Sequence, residues 1–103
     1  MSQKPKKVTK YCELLEQAFI DEGKQRFAIE RIKVRSTENE EIRFTYYKKS
    51  EDGKLRFVPR PLDLNESSLL ELFKKPGITE VFSVSFLNDL RGVLDELCRR
   101  SNT

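Results

Sequence analysis

The chain has 103 residues, 37% hydrophobic and 36% charged, with a net charge of +3, which suits one modest core rather than several. No apolar run approaches the roughly 20 residues of a membrane-spanning helix. Histidine is absent, which removes the commonest general base and metal ligand and every Ser/His or Cys/His arrangement.

In chain order, residues 1–7 carry Lys4, Lys6 and Lys7 around Pro5 and read as a flexible basic tail. No apolar region follows this basic start, so it does not resemble a secretory leader, and a cytoplasmic protein is expected. Residues 8–22 read as a helix, because Val8, Tyr11, Cys12, Leu15, Ala18 and Phe19 fall on one stripe at helical spacing. Gly23 then serves as its terminator. Residues 26–35, "RFAIERIKVR", read as a strand. Phe27 and Ile29 share one parity and Ile32 and Val34 the other, so either a bulge near Glu30-Arg31 restores a common face or the strand is buried on both sides.

Residues 41–49 read as a second strand, with Ile42, Phe44 and Tyr46 on one side and Arg43, Thr45, Tyr47 and Lys49 on the other. Asp52-Gly53 is a hairpin signal. Taken as a two-residue loop, it sets Lys48 opposite Phe57 and puts Leu55 and Phe57 on the side of Phe44 and Tyr46. Pro59 and Pro61 end that third strand or place it at an edge. Residues 66–75 read as a helix capped by Asn65, with Leu64 and Leu69 as a hydrophobic staple and Pro76-Gly77 as the stop. Residues 78–82 read as a short apolar link. Residues 85–99 read as a last helix, capped by Ser83 or Ser85, with Phe86, Leu87, Leu90, Val93, Leu94 and Leu97 as its stripe.

The expected fold is therefore a single α+β domain over residues 8–100. It has an antiparallel sheet of three or four strands with helices on one face, in the order α-β-β-β-α-α. Cys12 and Cys98 lie beside apolar residues on expected helices and read as two buried thiols, with a disulfide between the two helices as the alternative. The acids Glu40-Glu41 and Glu51-Asp52 sit at turns and read as solvated rather than catalytic. No glycine-rich phosphate-binding pattern occurs. A non-enzymatic protein without cofactor or metal is expected.

Charge distribution carries the functional reading. The three expected strands hold ten cations: Arg26, Arg31, Lys33, Arg35, Arg43, Lys48, Lys49, Lys54, Arg56 and Arg60. Against these stand Glu30 and Glu41, with the other acids of the region in turns. If helices cover one side of the sheet, the other is basic and carries Tyr47. Phosphates are met by Arg and Lys along a groove, and the bases of single strands stack on aromatic rings. The candidate nucleic-acid-binding residues are Lys33, Arg35, Arg43, Tyr47, Lys49, Lys54, Arg56 and Arg60. A solubilising face, with cations guarding strand edges, has the same composition. From a different class, helix 85–99 could serve a protein-interaction or assembly module, pairing with its copy or docking on a partner.

Residues 27–73 resemble the positive cofactor four family of single-stranded-DNA-binding transcriptional coactivators. "RFAIERIKVR", "IRFTYY", "EDGK" and "PRPLDLNESSLLEL" stand in the order of that family's first strand, second strand, turn and helix start. The resemblance implies a curved antiparallel sheet backed by a helix, dimerisation, and sequence-tolerant binding of single strands. It carries over onto Arg35, Arg43, Tyr46 and Arg60 and the apolar Phe27, Ile29, Ile42, Leu62 and Leu64. The family's Lys-Gly is Arg60-Pro61 here, its aromatic is Thr45, and it has no counterpart of segments 8–22 and 85–99 in its core domain. The α-β-β-β-α order is also that of double-stranded-RNA-binding domains, but Glu66 stands where those domains meet phosphate with a basic cluster.

Overall fold

The segment expected as the first helix folds as a strand. The computed structural model describes residues 7–101, so the expected basic tail lies outside the described residues apart from Lys7. Lys7–Val8 (β1), Cys12–Glu22 (β2), Gln25–Val34 (β3), Glu40–Lys49 (β4) and Leu55–Val58 (β5) form one antiparallel sheet in which each strand pairs with the next. Glu66–Phe73 (α1), Ile78–Val81 (α2) and Val84–Ser101 (α3) follow. The order β-β-β-β-β-α-α-α with five strands replaces the expected α-β-β-β-α-α with three or four. The α+β class and the antiparallel pairing are as expected.

Two local features turn residues 12–22 from helix to strand. Gly23, which reads as a helix terminator, is the first central residue of a two-residue hairpin loop between the paired Glu22 and Gln25. Its φ of 60° is the positive value that a type II′ turn needs at that position. The second feature is a β-bulge. Leu14 pairs with Ile32 and Glu16 with Arg31, leaving Leu15 as an extra residue. A bulge exchanges the faces of the residues on either side of it. Cys12 and Leu14 therefore pack with Ile32 and Val34 on one face, while Ala18 packs with Ile29 on the other. Burial at 12, 15 and 18 imitates a helical stripe, although no helix is present. The expected bulge near Glu30-Arg31 does not occur, and β3 is buried on both sides instead, through Ile29 on one and Ala28 and Ile32 on the other.

The β4–β5 hairpin also departs from expectation, by one residue. Tyr47 pairs with Phe57 and Lys48 with Arg56. The Gly53 N–H donates to the Ser50 carbonyl at 2.9 Å, and the Ser50 N–H donates to the Lys54 carbonyl at 2.9 Å. Positive φ falls on Gly53 (83°) and not on Asp52. This is a three-residue loop, a type I turn followed by a left-handed residue, rather than the two-residue type I′ turn. A one-residue change of register moves every side chain to the other face. Leu55 and Phe57 accordingly share a face with Arg43 and Tyr47, not with Phe44 and Tyr46.

α1 and α2 pack on one face of the sheet, here termed the helix face, over β2 and β3, and leave Ile42 and Phe44 of β4 exposed on it. Asn65 caps α1, its Oδ1 accepting the Ser68 N–H at 2.8 Å, and Leu64 and Leu69 both pack on the core. The link over 78–82 is helical for one turn. It sits directly on β2, where a Cβ added at Gly77 would lie 2.6 Å from the Gln17 carbonyl oxygen. Ala18, Ile29, Leu72, Ile78, Val81 and Phe82 form the principal core, each large side chain contributing on the order of 1.5–3 kcal/mol by burial. The Arg31 Nε donates to the Val81 carbonyl at 2.7 Å, tying the end of α2 to β3. Ser83 caps α3, its hydroxyl accepting the Phe86 N–H. Cys12 is buried as expected and Cys98 is exposed, and both are free thiols. Among the described residues no helix is long and apolar enough to cross a membrane.

Candidate nucleic-acid interface

The other face of the sheet is open and concave. The edge strands β1 and β5 both line one cleft of about 290 Å³, walled by Lys7, Thr9, Tyr11, Cys12, Leu14, Phe57 and Pro59, with Arg43 and Tyr47 below. Its floor is built on Glu30, a carboxylate at the centre of the sheet with no exposure. Parity puts Glu30 on this face between Ala28 and Ile32. Pairing sets it opposite Gln17 on β2 and Arg43 on β4. Oε1 accepts from Arg43 Nε at 3.0 Å and Nη2 at 2.7 Å. Oε2 accepts from Gln17 Nε2 and from the Tyr47 hydroxyl, each at 2.6 Å. Among the described residues no buried side-chain nitrogen or oxygen lacks a partner.

Satisfaction of this kind is what a buried charge requires. Burial acts against the Arg43 cation, but the hydrogen bonds and charge of Glu30 outweigh it and raise the guanidinium pKa. Burial, then the hydrogen bond to Glu30 and its charge, push the Tyr47 phenol well above its ordinary value. With both oxygens taken by two donors each, Glu30 acts as an anchor that fixes Arg43 and Tyr47 in place. Arg43 Nη1 also reaches Cys12 Sγ at 3.4 Å. Arg26 is tied to Asp21 at 2.7 Å, a hydrogen bond that leads the lowering of the Asp21 pKa.

The eight candidate residues do not form one surface. Arg43, Tyr47 and Lys49 share the open face, as expected. Tyr47, expected to be a stacking platform, is 7% exposed, because its hydroxyl is held by Glu30 and its ring lies edge-on to Phe57 at 5.8 Å. Lys54 is exposed in the hairpin loop. Arg56 lies on the opposite side of β5, paired with Lys48. Arg60 is exposed beyond β5. Lys33 lies at the far end of β3, between the acids Glu13 and Glu40 of the neighbouring strands, and Arg35 donates to the Thr9 carbonyl at 3.0 Å. Lys49, Lys54 and Arg56 thus gather around the β4–β5 hairpin with Lys48. Lys24 joins them, its carbonyl accepting the Lys49 N–H. Lys33 and Arg35 stand apart.

Residues not foreseen complete the open face. Phe57 is 42% exposed, with the Arg43 guanidinium 4.8 Å from its ring centre. Phe19 is partly exposed under the Arg26 guanidinium at 3.8 Å, and Tyr11 lies near Lys10 at 6.0 Å. Phe57 was hidden by the one-residue register difference and Phe19 by reading its strand as a helix. Glu30 left one trace in the sequence, an acid at an apolar parity of a strand.

No family model matches the chain, and no curated protein or solved structure is detectably similar to it. The resemblance to the positive cofactor four family rests on the motifs of residues 27–73 alone.

Proposed function

We propose that the chain binds single-stranded nucleic acid, DNA or RNA, with phosphates on the β4–β5 hairpin and bases against the open face. The observation that carries this reading is the direct cross-strand pairing of Lys48 with Arg56. Like charges opposed on one ladder oppose folding; this pair projects on the helix side of the hairpin and Lys49 on the open side, and Lys24 and Lys54 add to the same end, so that phosphates would pass around the hairpin end while bases reach the open face. A polyanion converts that repulsion into attraction by neutralising several cations at once. The half-exposed rings of Phe57 and Phe19 supply faces on which unpaired bases stack, which favours a single strand over a duplex.

The test is fluorescence anisotropy of labelled single- and double-stranded oligonucleotides across salt concentrations. Affinity should favour the single strand and fall steeply with salt, with a log–log slope of about −0.7 per phosphate engaged. The pair Lys54→Glu and Arg56→Glu should weaken binding at least about ten-fold with unchanged circular dichroism. Absence of binding at low salt would assign these cations to protection of the β5 edge.

A further inference from the structure

The last helix has an apolar stripe that is covered only at its start among the described residues. Of its 18 residues none is buried. Its start is anchored, since Leu87 packs on the core and Phe86 stacks on Phe82 at 5.0 Å. Further along, Val93, Leu94 and Leu97 are 55%, 50% and 44% exposed. A lone exposed leucine is ordinary. Here Leu87, Leu90, Leu94 and Leu97 recur at spacings of three, four and three, the a and d positions of two heptads, and Phe86 and Val93 widen the same side. A contiguous stripe of this kind marks an interaction surface.

Charge selects the occupant. The helix carries Asp89, Asp95 and Glu96 against Arg91, Arg99 and Arg100, three of each sign. Glu96 already engages Arg99 and Arg100 within the helix. A strongly acidic or basic partner finds no matching field here, whereas a second copy meets an equal apolar seam without net repulsion. We propose that α3 pairs with α3 of a second copy, making the chain a homodimer with the same seam presented by both partners. The seam lies outside residues 27–73 and on a different element from the cationic hairpin, so this proposal stands or falls independently of nucleic-acid binding.

Light scattering coupled to gel filtration, or sedimentation equilibrium, on the full chain tests it. The expected mass is twice the 12.1 kDa of one chain, with dissociation on dilution. The double variant Leu94→Glu, Leu97→Glu should run at the single-chain mass with its sheet signal in circular dichroism retained. The milder Leu97→Ala should raise the dimer dissociation constant at least ten-fold. Asp95→Ala, on the polar side, should leave the mass unchanged. A single-chain mass for the unaltered protein at every concentration overturns the proposal. So does a dimer that survives both leucine variants, which would place the interface elsewhere.

Discussion

The floor of the open face and the last helix invert the usual relation between polarity and burial. Glu30 is charged and fully buried, and it is stable there because four donors meet it. Leu94 and Leu97 are apolar and half exposed, and nothing among the described residues covers them. The contrast shows that a residue's location follows from its partners rather than from its polarity. The floor has its partners on neighbouring strands, whereas no residue of α3 is buried.

The largest effect that probes this contrast is expected at Glu30. Glu30→Ala leaves the Arg43 cation without its anion and the Tyr47 hydroxyl without its acceptor, and should cost about 3–5 kcal/mol. In a chain of this size that lowers the melting temperature by at least about 12 °C, as read by differential scanning calorimetry. A loss below about 1 kcal/mol would mean that water replaces the network. Next come two equal substitutions on different helices. Leu72→Ala, at a site with no exposure, should cost about 2–5 kcal/mol. Leu97→Ala in dilute protein should cost less than about 0.5 kcal/mol, as measured by urea unfolding. Equal costs would erase the distinction between the two helices. If α3 pairs with a copy, the Leu97 penalty grows with protein concentration.

The smallest effect concerns pH. The Tyr47 phenol has a raised pKa in the folded state, while in the unfolded chain it ionises near 10. Above that pH the unfolded state releases a proton that the folded state keeps. This part of the stability is therefore full below about pH 10 and lost as pH rises further. Thermal melts from neutral to strongly alkaline pH should show a fall that Tyr47→Phe makes shallower. Identical curves for the two proteins would place the alkaline sensitivity elsewhere.

Legibility in the sequence followed the range of the signal. The strands over 26–35 and 41–49, and the helix after Asn65, rest on caps and alternation within a few residues, and they form where expected. The strand over 12–22 was obscured because a bulge and burial on both faces produce three-residue spacing, and because Gly23 suits a helix end as well as a hairpin. The site was legible as far as parity goes, with Arg43, Tyr47 and Lys49 opposite the helices. The burial of Tyr47 was not legible, since it depends on the curl of the sheet and on Glu30, thirteen residues from Arg43 in the chain but adjacent in space.

The β4–β5 loop has a consequence for how such a chain can change over time. Its length, through parity, decides whether Phe57 or Arg56 stands on the concave side. Substitutions within Glu51–Asp52 leave that choice untouched. One inserted or deleted residue would exchange ring for cation along the whole of β5. The choice of side chains on each face of this hairpin is thus held by a count of residues, and a single-codon length change would rewrite the surface more thoroughly than replacement of any one residue on it.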